Sequence, residues 1–154
     1  MGPILYLTAC YPTWSETFIA QELTLLRAQG LPLLPVAIRR GPGELAPAWR
    51  DCLFLDDRPP ATGPEPPPRW RPALPAALQR QFALERHRVA LRRLCDLAAE
   101  HQVCHLHAAF ADLPGLLVAK AAQRLDLGYS VSVHAADAGL YGGCLVSWGN
   151  RALS

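Results

Sequence analysis

Residues 4–38 read ILYLTACYPTWSETFIAQELTLLRAQGLPLLPVAI, and the fold class follows from this stretch. Ile4–Ala9 is a short apolar run of the kind that forms a buried strand. Tyr11-Pro12-Thr13 breaks it. A helix is expected next, because Phe18, Ile19, Leu23 and Leu26 recur at helical spacing. Thr13 and Glu16 stand three apart, so hydroxyl and carboxylate can satisfy each other's orphan N–H groups in a capping box. Gly30 supplies the C-terminal stop. Leu33–Ile38 then reads as a second strand, with Pro35 arguing for an edge or a local irregularity. A β-α-β opening of this kind predicts an α/β domain with a parallel sheet.

The pattern resumes after an irregular middle. Gly41-Pro42-Gly43 opens it, and Cys52–Leu55 is a candidate third strand. From Arg58 to Pro75 there are eight prolines, which excludes an element interior and leaves an irregular insertion. The segment reads as a surface loop, with a PxxP ligand as the functional alternative. Ala76 to Glu100 contains neither Gly nor Pro and predicts one long helix. Its apolar face is Leu84, His87, Leu91, Leu94 and Ala98, with Arg86, Arg88, Arg92 and Arg93 off the stripe. Those arginines suit a solvated face or contact with an acidic membrane surface. Val103–His107 is a strand candidate, Asp112 to Leu125 a helix stopped by Gly128, and Tyr129–Val133 a further strand. The expectation is a Rossmann-like parallel sheet of about four to five strands flanked by helices.

Composition excludes several classes. The 154 residues are 51% hydrophobic and carry a net charge of only +2, enough for a core but short of the basic excess expected of a nucleic-acid binder. No run approaches the roughly 20 apolar residues of a membrane span. The five cysteines are widely spaced and form no CxxC pair, which argues against a disulfide framework and fits a reducing cytoplasm. Leu7-Thr8-Ala9-Cys10 has the form of a lipoprotein cleavage box, but no basic residue precedes it and the apolar run is too short for a signal core.

Few residues carry an obvious chemistry. Cys104, His105 and His107 raise the question of zinc, yet strand alternation puts the two histidines on one face and the cysteine on the other, and no second ligand pair has a recognised spacing. A Cys/His nucleophile pair is conceivable, but free cysteines are more often small buried apolar residues. The phosphate loops GxGxxG and GxxxxGK[ST] and the nucleophile elbow GxSxG are absent. The stronger signal is topological: in open α/β sheets ligands bind beyond the carboxyl ends of the strands. Three segments end that way: Cys10–Thr17, running into a helix N-terminus suited to an anion; His107–Ala111; and His134–Asp137.

At these residues the chain resembles the N-terminal domain of family 4 glycosyltransferases, above all those of bacterial exopolysaccharide and colanic-acid biosynthesis. The likeness rests on Pro12-Thr13-Trp14-Ser15-Glu16-Thr17-Phe18-Ile19 followed by Glu22-Leu23, Leu26 and Gly30. His105-Leu106-His107-Ala108-Ala109-Phe110-Ala111 resembles the family's HAHFA segment with one extra residue. Tyr129–Asp137 resembles its strand ending in a His-x-x-Asp loop. These motifs frame residues 4–137 and leave the Pro-rich middle unmatched.

The resemblance implies the N-terminal half of a GT-B fold, two Rossmann-like domains facing across a cleft. It implies sugar transfer from a nucleotide-sugar donor to a saccharide or lipid-linked acceptor, with retention of configuration and no metal or other cofactor. It assigns His134 to the transferred sugar or to charge near the reacting centre, and Asp137 to orienting that loop. Ser15, Glu16 and Thr17 would stand at the first helix start near donor diphosphate or acceptor, and His107 would line the cleft. The expected setting is cytoplasmic, with peripheral contact at the inner membrane face and no nucleic-acid partner. Residues 138–154 depart from the family pattern, and no paired-glutamate motif is present. The sequence reading is therefore an acceptor-side domain over 1–137, with 58–75 an insertion and 138–154 a divergent tail. A donor-binding domain is expected to be missing and the chain alone inactive. The alternatives are a non-catalytic acceptor- or membrane-binding module and an inactive remnant.

Overall fold

The computed structural model describes residues 2–12, 17–56 and 75–133. Five strands, β1 (Ile4–Tyr11), β2 (Leu33–Arg40), β3 (Leu53–Asp56), β4 (His105–Ala108) and β5 (Gly128–Val131), form one sheet in the order β3-β2-β1-β4-β5. Every pairing is parallel. Four helices, α1 (Thr17–Ala28), α2 (Ala76–Arg86), α3 (Arg88–Glu100) and α4 (Leu113–Leu125), lie in three of the four crossovers between parallel strands, and the β2-to-β3 connection carries only a short 3₁₀ turn. The expected α/β Rossmann-like architecture is the one observed.

β1 is central, and its side chains alternate between two cores. Leu5 and Leu7 pack with Val36, Ile38 and Leu106 under Leu91, Leu94, Leu117 and Val118 of α3 and α4. Tyr6 faces the other way, into a cluster with Ile19 and Leu23 of α1, Ala37, Trp49 and Ala109. Trp49 lies in a short 3₁₀ turn, Pro47–Trp49, and is fully buried. It stacks on Tyr11 with ring centroids 4.1 Å apart and meets Tyr6 edge-on at 5.9 Å. Arg27 ties this turn to α1 and β2, donating to the carbonyls of Ala48 (2.7 Å) and Leu33 (3.2 Å) and to the Asp51 carboxylate (2.6 Å).

Several element ends differ from the sequence reading, each for a local reason. α1 ends as expected at Gly30, whose φ of 81° lets Leu31 N–H reach back to the Leu26 carbonyl. α4 is stopped by Asp126, not Gly128. Asp126 takes the left-handed conformation at φ 54°, and Leu127 N–H closes onto the Ala122 carbonyl. Asp tolerates that region because its short polar side chain can bond locally. Gly128 instead opens β5 opposite His105, where an added Cβ would stand 3.2 Å from the imidazole Nδ1.

The stretch 76–100 is two helices rather than one. His87 leaves the helical region at φ −106°, ψ 22°. α3 keeps Leu91, Leu94 and Ala98 on the core, while Leu78 and Phe82 of α2 remain exposed. Arg93 is not simply solvated, since it donates to the Leu55 carbonyl at 3.0 Å. Pro35 lies in an interior strand, not an edge. β3 begins to pair only at Val36, so at Pro35 β2 has a sheet neighbour on one side alone. The Pro-rich segment up to residue 74 and the tail 138–154 lie outside the described residues.

Candidate functional site

Parallel pairing puts the carboxyl ends of all five strands at one edge. The strand order reverses direction between β1 and β4, where the chain leaves the central strand first to one side and later to the other. That is the switch point at which open α/β sheets form a crevice. Three chain exits border it: Tyr11-Pro12 after β1, Ala109-Phe110 after β4, and Ser132-Val133 after β5. The last two are tied to their neighbours, Ala109 N–H donating to the Leu7 carbonyl and Ser132 N–H to the Ala108 carbonyl, both at 2.9 Å. Phe110 meets Phe18 of α1 edge-on at 6.1 Å, and Phe18 is exposed. The rim is therefore partly aromatic.

His107 lies at this crevice, one residue from the end of β4. Its ring rests against Tyr6, with centroids 5.0 Å apart. Tyr6 OH donates to Glu22 Oε2 of α1 at 2.7 Å, which places that carboxylate behind the two rings. On the other side β5 supplies hydroxyls. His107 Nδ1 is 2.8 Å from Ser130 Oγ, and its Nε2 is 3.3 Å from Ser132 Oγ. Ser130 Oγ also lies 2.9 Å from His105 Nε2. The alternation of His105 and His107 on β4, and of Ser130 on β5 with Ser132 just past its end, puts all four on one sheet face. Thr8, on the central strand, is fully buried, and its hydroxyl meets no hydrogen-bond partner among the described residues.

Burial holds both imidazoles below the ordinary histidine range. At His107 desolvation is the leading cause, the Glu22 carboxylate opposes it, and His105 adds to it. At His105 desolvation acts alone. Both rings are accordingly neutral at pH 7 and can accept as well as donate hydrogen bonds.

No family model matches this chain, and no curated protein matches it. Its own residues therefore carry the functional argument.

Of the residues singled out from sequence, His107 stands at the crevice and Thr17 opens α1. Ser15, Glu16, His134 and Asp137 lie outside the described residues, as does the capping box. Among the described residues no group of three or more His, Cys, Asp or Glu side chains could hold a metal ion. Cys104 is turned away from the histidines and donates to the Gly2 carbonyl at 2.9 Å. The thiol-nucleophile reading finds no support at Cys52, which is buried, or at half-buried Cys95. Burial pushes the Cys52 thiol up to about 12 and raises that of Cys95 as well. Sequence reasoning passed over Tyr6, Glu22, Ser130 and Ser132. Their signal was the same two-residue alternation of polar groups in β4 and β5, together with a phenol inside an otherwise apolar strand.

The two imidazoles make stability depend on pH. Each folded-state value lies below 6.5, so protonation disfavours the folded form. As pH falls below about 6.5 the unfolded chain takes up protons first, and stability drops until the folded rings are also charged. Urea unfolding between pH 8 and pH 5 should show this loss, and the double variant His105→Asn, His107→Asn should flatten it. Glu22→Gln, which removes the opposing charge, should move the His107 titration further down in an NMR pH series.

Proposed function

We propose that this chain is the acceptor-holding half of a retaining glycosyltransferase, placing a saccharide or lipid-linked saccharide at the carboxyl edge between β1 and β4. A second, nucleotide-binding domain would supply the sugar donor. The observation that carries the reading is the chemistry at the switch point. Neutral imidazole and serine hydroxyls stand beside an aromatic pair, with an exposed Phe18 at the rim. Uncharged groups that both donate and accept suit the hydroxyls of a sugar, and aromatic side chains suit its apolar ring faces. The motif resemblance gives the reaction class, with His134 and Asp137 as its catalytic residues and Ser15, Glu16 and Thr17 as substrate contacts. A crevice wall of this kind binds one reactant. Stabilising a transition state between two reactants needs the opposing wall as well.

Saturation-transfer NMR on the intact chain tests the assignment. Oligosaccharides or short-chain lipid-linked saccharides should receive saturation, while nucleotide sugars should not. His107→Ala should raise the saccharide Kd read from a saturation-transfer titration about tenfold, the loss of a hydrogen-bonded contact worth about 1.4 kcal/mol. Binding of nucleotide sugars without saccharides would reverse the assignment.

A second feature favours a lipid-linked acceptor. Among the described residues no helix is long and apolar enough to cross a membrane. Yet Leu78, Phe82 and Val89 are 42%, 56% and 69% exposed. Leu78 and Phe82 stand four apart on α2 and Val89 follows at the start of α3, with exposed Arg86, Arg88 and Arg92 close by in sequence. Exposed apolar side chains interspersed with arginines have the pattern of a surface that rests on anionic lipid. Sedimentation with phosphatidylglycerol vesicles should retain the chain, and neutral phosphatidylcholine vesicles should not. Arg86→Glu, Arg88→Glu, Arg92→Glu should abolish retention, and Phe82→Ser should weaken it. Equal sedimentation of all variants would remove this surface from the account.

A further inference from the structure

The four side chains on the β4–β5 face are joined in one line, Ser132–His107–Ser130–His105, by contacts of 3.3, 2.8 and 2.9 Å. The line runs from the carboxyl edge, where Ser132 follows β5, back to His105 at the first position of β4. Its centre is a single hydroxyl between two imidazole nitrogens. Ser130 has one proton to donate, and as a relay member it donates to one imidazole and accepts from the other. If it donates to His107 Nδ1, then His105 must donate through Nε2–H, and His107 carries its own proton on Nε2. If it donates to His105 Nε2, then His107 must donate through Nδ1–H, and His105 carries its proton on Nδ1. In each arrangement both imidazoles hold the same tautomer, and passing from one to the other moves a proton along the whole line.

We infer that Ser132, His107, Ser130 and His105 form a proton relay that accepts the proton of a hydroxyl-bearing ligand seated at the carboxyl edge. The ligand class rests on the acceptor reading above, but the relay itself does not. In the arrangement with both protons on Nδ1, Ser132 Oγ–H donates to His107 Nε2. A ligand O–H proton passes to Ser132 Oγ as the Ser132 proton passes to His107 Nε2. The His107 Nδ1 proton moves to Ser130 Oγ, and the Ser130 proton moves to His105 Nε2. One ligand O–H bond is broken, the ligand oxygen keeps the electron pair, and His105 ends as an imidazolium. Among the described residues, the groups set against the two rings are Tyr6 of β1, the Glu22 carboxylate of α1, and the hydroxyls of Ser130 and Ser132. Tyr6 is hydrogen-bonded to Glu22, so the carboxylate is held beside His107 and favours positive charge on that ring as the proton passes through it. Neutral rings at pH 7 are ready to receive the proton.

Imidazole nitrogen NMR on the free chain tests the relay without any ligand. The two histidines should show the same tautomer and should take up their first proton together, both rings responding in one step. Ser130→Ala, at an exposed position on β5, should release the tautomers from each other and separate the titrations. Ser130→Thr, which restores the hydroxyl, should recover the wild-type pattern. Opposite tautomers in the wild type, or titrations unchanged by Ser130→Ala, would overturn the relay. If the relay is observed but no saccharide binds at the edge, the acceptor reading fails and the relay stands.

Discussion

Strand β1 is the constraint on which the other elements depend. It is paired on both sides, with Ile4 opposite Leu33 in β2 and opposite His105 in β4. It is also packed on both faces, so its side chains must be acceptable to two different cores. Leu5 and Leu7 are apolar and meet the core under α3 and α4. Tyr6 and Thr8 are fully or almost fully buried with polar groups attached. Tyr6 resolves this by donating to Glu22, which brings an acidic side chain of α1 to the sheet. A buried phenol needs a partner, and here that need positions a carboxylate beside His107.

The parallel arrangement does the rest. Because every strand runs the same way, each chain exit falls at one edge, and the reversal of order between β1 and β4 opens a gap there. The register determines what lines it. Tyr6, His107 and Ser130 occupy matching positions on three adjacent strands. A slip of one residue in β4 would turn both histidines into the apolar core and Leu106 out of it. The burial of Leu106 and the placing of the half-buried histidine row on the opposite face are thus one fact about register, and core packing holds the polar line in place.

Most of the architecture was legible in the sequence. The apolar runs of β1 and β2, the helical spacing of Phe18 to Leu26 and the stop at Gly30 are local signals with local causes. So is the sharing of one face by His105 and His107. What escaped was set by tertiary context. His87 interrupts a stretch with no Gly or Pro, leaving α2 and α3 as separate helices. Asp126 took the left-handed stop expected of Gly128, and the glycine instead opens β5 where the strand passes close to the His105 ring. Pro35 sits inside the sheet because β3 starts one residue later. At the site, His107 was visible as a strand-end histidine. Its partners were not, because Tyr6, Glu22, Ser130 and Ser132 come from three other elements and meet it only through the register. The loop residues His134 and Asp137 rest on the motif resemblance alone.

A sheet edge, a neutral polar line and an aromatic rim make up the surface proposed to hold a hydroxyl-rich ligand. The measurement that bears on it most directly is where a saccharide acts on the chain. Amide chemical-shift mapping during titration with a lipid-linked or free oligosaccharide should perturb Tyr11, Phe18, Ala109, Phe110 and Ser132, residues distant in sequence that converge at the carboxyl edge. Perturbations confined to the amino edge, at Gly2, Leu33 and Cys104, or to α2, would contradict it.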